Sequence, residues 1–477
     1  MNPSSNPNEK WYSGITRYQW LVLVIASLGW VFDVFEGQIF VASMSEAMPS
    51  LVPTTTSDGQ LAMYNNIALA SFLLGGALGG IFFGMLSDRI GRKRTMTITI
   101  LFYSVFTCVS AFSQQWWHLA GLRFFVALGV GGEWAVASTL VAEVFPKKAR
   151  AHVGGIFHAS SVLGSYLAVA AGTFLIGNTA VHAWASSPEM NWVSSFMDPA
   201  SLTWRLGFAL GVLPALLIIW IRKSLREPES WVAARKQAQE EPEHRMGVIS
   251  DLFKGALLRR TLIGVLLATV GLATFWGSHI YGKNVFRNAV EQEILQTAVS
   301  VESAPLISNE ERASILQQEA ASLKRWEMLG MFLATTGGGL GLLFFGPISQ
   351  RTGRRGAFLI FHIGGLISAL LLFMVPMGVS MLYIVLPIFG FLTLGMHAGY
   401  AIYFPELYPT RLRATGTGFC FNSGRILAAP VLFISGWMQK DWGFTLTSAA
   451  ATLSLLFILG IAVLPFCPET RGRELAE

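Results

Sequence analysis

Twelve stretches of roughly 17 to 25 mostly apolar residues alternate with short polar or charged segments. They begin near Tyr18, Leu61, Thr95, Leu119, His152, Trp204, Thr261, Glu327, Ala357, Ser380, Thr415 and Gly443. Each is predicted to be a helix crossing a bilayer, because a helix satisfies its own backbone hydrogen bonds in hydrocarbon. The first, up to about Val41, outruns a signal-peptide core and carries two acids, so it is expected to stay in the protein. Two polar segments interrupt the rhythm. Arg222 to Arg245 is basic and reads as a linker with some helix; about Phe286 to Arg325 is rich in Glu and Gln and reads as a solvated outer loop folded into short helices.

The pattern repeats at long range. "GMLSDRIGRKR" (Gly84 to Arg94) recurs as "GPISQRTGRR" (Gly346 to Arg355), an offset of 262, and "EVFPKKAR" (Glu143 to Arg150) recurs as "ELYPTRLR" (Glu406 to Arg413), an offset of 263. Two motifs at nearly one offset indicate two related halves of six helices. The predicted fold is therefore an all-α integral membrane protein with twelve transmembrane helices in two pseudo-symmetric six-helix bundles. Residues 1–223 form the first bundle, 224–259 the linker and 260–477 the second bundle, with the polar loop at about 286–325.

Composition agrees: 53% of the 477 residues are hydrophobic and 13% charged. The net charge of +6 does not point to nucleic acid. With the N-terminus inside, roughly three quarters of the Lys and Arg fall in inner segments, which is the positive-inside asymmetry. Both termini are expected in the cytoplasm of a multi-pass cell-membrane protein. Cys108, Cys420 and Cys467 show neither a disulfide framework nor metal spacing. No phosphate-binding loop, metal motif or nucleophile motif stands out, so no enzyme, cofactor or metal is expected.

The informative residues are charges inside apolar spans. Asp33 and Glu36 sit at i and i+3 of the first helix, on one side of it. A charge at the bilayer centre costs at least about 2.5 to 3.5 kcal/mol, so the two acids need a partner, a proton or a water-filled cavity. At 1.5 Å per residue, Asp33 lies roughly 12 Å and Arg123 roughly 6 Å below the outer ends of their helices, which makes Arg123 the candidate partner. Either the pair fixes helix one against helix four, or the acid alternates between proton and arginine and couples transport to protons.

Glu36 is a second proton site, a substrate contact or a neutral hydrogen-bonded carboxyl. Glu133, in "GVGGEW", pairs with a cation, bonds helix to helix or meets substrate. Arg425 has no acid within one turn, only Asn422 and Ser423 as polar neighbours; its planar fork suits a carboxylate, with an acid from another helix as the alternative. Of His158, His279, His362 and His397, each reads alone as a hydrogen-bonded interior residue; His397 is the one to test against substrate. Gly76, Gly80 and Gly84 make a close-packing face.

These motifs resemble a known family. "GMLSDRIGRKR" is similar to the loop signature of the major facilitator superfamily, with Gly84, Asp88, Arg89, Gly91 and Arg92 at its positions. Arg123, Glu143, Pro146 and Arg150, with "PES" at Pro228 and "PET" at Pro468, are similar to its sugar-porter branch. "GWVFDVFE" and "GGEW" resemble bacterial metabolite:proton symporters of the sialate and monocarboxylate kind; "GRILAAP" (Gly424 to Pro430) is similar to a stretch in aromatic-acid and organic-anion carriers. The resemblance implies proton coupling through Asp33 and Arg123. It also implies a gate built from Gly84, Asp88, Arg89, Gly91, Arg92, Glu143 and Arg150 and from Arg351, Arg354, Glu406 and Arg413. Gln350 departs from it, standing where the second loop copy would carry an acid.

The resulting expectation is a secondary transporter that moves a small organic anion, a carboxylate, together with protons by alternating access. The partners are protons, a small molecule and the bilayer, and the carrier is a monomer. A proton-coupled carrier of sugar or another neutral metabolite is the alternative, as is a transporter-like sensor without net flux. Asp33, Glu36 and Arg123 are the expected coupling residues, and Arg425, Asn422, Glu133 and His397 the expected substrate residues.

Overall fold

The computed structural model describes residues 10–56, 58–176, 179–185, 187–190, 198, 201–241, 245–302 and 309–475. Residues 242–244 of the linker and 303–308 of the polar loop lie outside these. The described secondary structure is helical: α1 (Arg17–Ala47), α2 (Asp58–Ile90), α3 (Arg92–Ser110), α4 (Trp116–Val144), α5 (Lys147–Ala159), α6 (Ser161–Ala171), α7 (Thr179–Ala185), α8 (Leu202–Ala209), α9 (Pro214–Ser224) and α10 (Glu229–Glu240). The remainder comprises α11 (Gly255–Gly277), α12 (Gly282–Glu302), α13 (Asn309–Gln318), α14 (Ala320–Met374), α15 (Val379–Leu394), α16 (His397–Leu407), α17 (Arg413–Ala428), α18 (Pro430–Lys440), α19 (Leu446–Ser454) and α20 (Leu456–Val463).

Ten helical stretches among the described residues are long and apolar enough to cross a membrane. The twelve-span count is recovered in two steps. Leu329–Met374 is one stretch only because helix runs on both sides of Gly353, whose φ of 82° breaks it into two spans. α3 is the other: its first turn carries Arg92, Lys93 and Arg94 and dilutes its hydropathy. The linker holds α10; the expected solvated loop of short helices contains α13 and most of the 21-residue α12.

Two compact units emerge from the contacts: residues 1–265 with 401–426 and 472–477, and residues 266–400 with 427–471. In the first unit, side chains explain how α2 is oriented. Gly75 and Gly79 lie against the Phe124 and Leu128 carbonyls of α4, where any Cβ would collide. Leu74, Leu78 and Phe82, about a turn apart, stay exposed, as on a lipid-facing helix surface. Arg205 donates to the carbonyls of Ala111 (2.7 Å) and Ser113 (2.8 Å) and so satisfies orphan acceptors beyond the end of α3. Thr16 and Gln19 close a capping box at the start of α1. In the second unit, Phe286 and Val290 of α12 pack with Leu323, Leu372 and Leu386, so one face of the polar loop is buried.

Candidate functional site

The first unit holds two separate groups of buried charge. The first lies where α2 ends and α3 begins. Gly91 makes the turn at φ 109°, and the Glu227 carboxylate accepts from the freed N–H groups of Arg92 (2.7 Å) and Lys93 (3.3 Å). A carboxylate there meets the positive end of α3. The Arg92 side chain is fully buried and shared out. It donates to Asp88 at 2.8 Å, to both oxygens of Glu143 at 2.8 and 3.0 Å, and to the carbonyls of Ser87 and Thr410. Arg413 reaches the same Glu143 at 2.7 Å, so two acids and two arginines interlock.

Asp88 does more than pair with Arg92. It accepts from the N–H groups of Ala414 (3.2 Å) and Thr415 (2.8 Å) and from the Thr415 hydroxyl (2.6 Å), capping the first turn of α17. Its own carbonyl receives the Trp231 indole N–H at 2.8 Å. Gly84 stands so close to the Ala414 carbonyl that a Cβ there would sit 2.7 Å away. Arg89 reaches the linker at the Gly247 carbonyl (3.3 Å), and Gly247 donates to the Arg411 carbonyl at 2.9 Å. Arg411 in turn pairs with Asp251 at 2.6 Å. Burial pushes the Asp251 carboxyl up, but hydrogen bonds from Lys254 and Arg411 outweigh it and hold the group below the usual carboxylate range. Arg150 donates to the Ala142 carbonyl at 2.9 Å.

The repeated loop in the second unit keeps the backbone device and changes the charge. Gly353 turns at φ 82°, and Glu469 accepts from the N–H groups of Arg354 (3.0 Å) and Arg355 (3.2 Å), as Glu227 does at the first copy. Arg354 bonds to the Ser349 carbonyl and hydroxyl, the latter at 3.1 Å. Gln350, at the position of Asp88, offers no charge. Arg351 is exposed and its carbonyl accepts from Arg471. Glu406 lies in α16.

The second charge group of the first unit answers the question of the acids in α1. Asp33 is buried, with the Tyr103 hydroxyl beside it, and no cation bonds its carboxyl oxygens among the described residues. The expected partner is not there. Arg123 donates instead to the Glu36 carbonyl at 2.9 Å, about a turn farther along α1, and lies among the rings of Phe72 (4.5 Å), Phe40 (5.0 Å) and Phe208 (5.9 Å). The 6 Å difference in depth read from the sequence is about one helical turn, and the nearer carbonyl and the rings take the guanidinium. The cation whose charge reaches Asp33 is Arg425.

Arg425 is partly exposed, 5.4 Å from the centre of the Phe421 ring, which is itself stacked on Trp134 at 4.1 Å. It makes no ion pair among the described residues. Its guanidinium lies on Gly76, where a Cβ would approach it to 2.5 Å, while Asn422 lies on Gly80 and its side-chain amide oxygen is buried with no partner among the described residues. The Gly76, Gly80 and Gly84 stripe therefore packs on α17, and it leaves room there for polar side chains. Glu133 takes the helix-to-helix alternative: it accepts from the Thr99 hydroxyl of α3 at 2.7 Å.

His397 belongs to the second unit, where its ring packs edge-on to Phe275 and Tyr400 and its Nε2 has no partner among the described residues. His279 bonds Thr393 at 2.6 Å and His362 the Phe358 carbonyl at 2.7 Å, as interior histidines do. Sequence reasoning missed Glu227 and Glu469, although both adjoin or lie in the "PES" and "PET" motifs. It also missed Thr415, Thr99 and Tyr103, for which no local signal exists.

The sequence matches the Major Facilitator Superfamily over residues 37–430. The chain belongs to the Major Facilitator Superfamily. It is 25% identical to the "Probable 4-methylmuconolactone transporter" of Cupriavidus pinatubonensis, covering 97% of this chain and 93% of that protein. It is 28% identical to the cis,cis-muconate transport protein of Acinetobacter baylyi over 84% of each chain, and 26% identical to the sialic acid transporter NanX of Escherichia coli over 95% and 96%. Among solved structures, the proton:xylose symporter XylE shares the fold, with a TM-score of 0.68, 16% identity and coverage of 96% and 98%. This major facilitator protein thus has twelve transmembrane helices in two six-helix halves and is a multi-pass membrane transporter of a small molecule.

Proposed function

We propose that this transporter carries a small organic anion, a carboxylate, together with protons by alternating access, in a cell membrane with both termini cytoplasmic. Arg425 recognises the anion and Asn422 lies beside it; His397 is a further candidate contact. Asp33, Glu36 and Arg123 form the coupling group, and the Arg92 network with its second copy forms the gate. The two bundles are residues 1–223 and 260–477, joined by 224–259, and the carrier works as a monomer.

One observation carries the reading. Arg425 is a partly exposed guanidinium in a membrane span, with no ion pair among the described residues. A cation in that setting calls for an anion, and its fork matches a carboxylate. The relatives named for muconate and sialic acid support the same class of cargo.

The test is binding and uptake with purified protein in liposomes, using monocarboxylates, muconate, sialate and neutral sugars. A charge-assisted hydrogen bond contributes about 1.5 to 3 kcal/mol, so Arg425→Ala should lose roughly ten- to a hundredfold in affinity for the acid and much less for its amide. Arg425→Lys should lose less than Arg425→Ala. Equal losses for acid and amide would show that Arg425 supports the fold and does not select cargo. A neutral hexose as sole substrate would overturn the anion reading, and binding without accumulation would favour a sensor.

A further inference from the structure

Around the coupling group, the described residues include one more buried acid than arginines. In this part of the first unit Asp33, Glu36 and Glu133 are buried acids, and Arg123 and Arg425 are the arginines. Arg123 acts on Glu36 and Arg425 on Asp33. Glu133 is left with neither. One of its oxygens accepts from Thr99 at 2.7 Å; the other, buried against Gly29 where a Cβ would stand 2.6 Å from it, has no partner among the described residues.

Among the described residues, the groups facing Glu133 contain no other cation. α1 presents Gly29 and Asp33, α3 presents Thr99 and Tyr103, and α2 packs on the adjoining turns with Gly76 and Phe83. Next to it, Trp134 donates to His158 of α5 at 3.3 Å. The Tyr103 hydroxyl is fully buried, lies beside Asp33 and is within electrostatic reach of Glu133 and Glu36. A hydroxyl set among carboxyls can donate to a carboxylate or accept from a protonated carboxyl.

We propose that Glu133 carries a second exchangeable proton, so that each monocarboxylate moves with two protons, one on the Asp33 and Glu36 group and one on Glu133. This inference rests on the proton-coupled reading above and replaces the substrate contact expected of Glu133. A hydronium ion of the outer water gives its proton to the Glu133 carboxylate and becomes water, and the Glu133 O–H later breaks to give the proton to inner water, with the Thr99 hydroxyl able to bond the carboxyl in either form.

The experiment measures steady accumulation of a radiolabelled monocarboxylate in liposomes with the membrane potential clamped to zero and the pH step varied. Each coupled proton contributes about a tenfold gradient per pH unit, so the wild type should accumulate about a hundredfold per unit and Glu133→Gln about tenfold. Glutamine keeps an acceptor for Thr99 and removes the exchangeable proton, so counterflow exchange should persist in the variant. A wild-type slope of about tenfold, or an unchanged slope in Glu133→Gln, overturns the second proton while leaving coupling intact. Absence of any pH-driven accumulation in the wild type overturns coupling itself and this inference with it. If Glu133→Gln does not assemble, a wild-type slope of about tenfold still overturns the second proton.

Discussion

Replacing Asp88 by Asn should unlock the joint between α2 and α17. Each Asp88 oxygen accepts two hydrogen bonds: Arg92 and the Ala414 N–H on Oδ1, the Thr415 N–H and hydroxyl on Oδ2. An Asn has one accepting oxygen, so two donors must face an NH2 group whichever way the amide turns. Hydrogen bonds to a charged group are worth about 1.5 to 3 kcal/mol each, and the Thr415 hydroxyl can rotate to accept, which leaves a net loss of about 3 kcal/mol. Every 1.4 kcal/mol is a factor of ten, so states in which the joint is open should gain about a hundredfold. Ser87 supplies the reporter. Its hydroxyl is buried with no partner among the described residues, so Ser87→Cys costs none of the hydrogen bonds described. With Cys108, Cys420 and Cys467 replaced by Ala, the labelling rate of Ser87→Cys by a membrane-impermeant maleimide should rise by up to that factor in Asp88→Asn. Initial uptake should slow while the yield of folded protein changes little. Unchanged labelling together with unchanged uptake would reduce this network to fixing the orientation of the loop.

Gly91→Ala and Gly353→Ala should each lower thermal stability in detergent more than Gly14→Ala. All three have positive φ, a strain of about 1 to 2 kcal/mol for alanine, but only at Gly91 and Gly353 does the new Cβ strike a carboxylate, of Glu227 or Glu469. Partial burial would raise the Glu469 carboxyl, but the N–H groups of Arg354, Arg471 and Arg355 hold it below the usual range. Its folded value is thus depressed, so its stabilisation is present above the ordinary Glu value of about 4.3 and fades as pH falls through the lower folded one. The melting difference between wild type and Glu469→Gln should accordingly be full at neutral pH and vanish in strong acid.

What the sequence determined by itself was whatever depends on periodicity and on the energy of charge in hydrocarbon. Long apolar runs have one low-energy solution in a bilayer, so the spans were legible, and the offset between "GMLSDRIGRKR" and "GPISQRTGRR" exposed the two halves. The cost of burying Asp33, Glu36, Arg123, Glu133 and Arg425 marked them as a set to be explained. Partners across helices were another matter, because helix rotation and depth decide them and no local pattern encodes either. A difference of one turn sends Arg123 to the Glu36 carbonyl and leaves Arg425 as the cation acting on Asp33. Likewise, only packing shows that Asp88 caps α17 through residues more than three hundred positions away. Local sequence sets where charge must be compensated in this protein, and the close approach of glycine-faced helices decides which group compensates it.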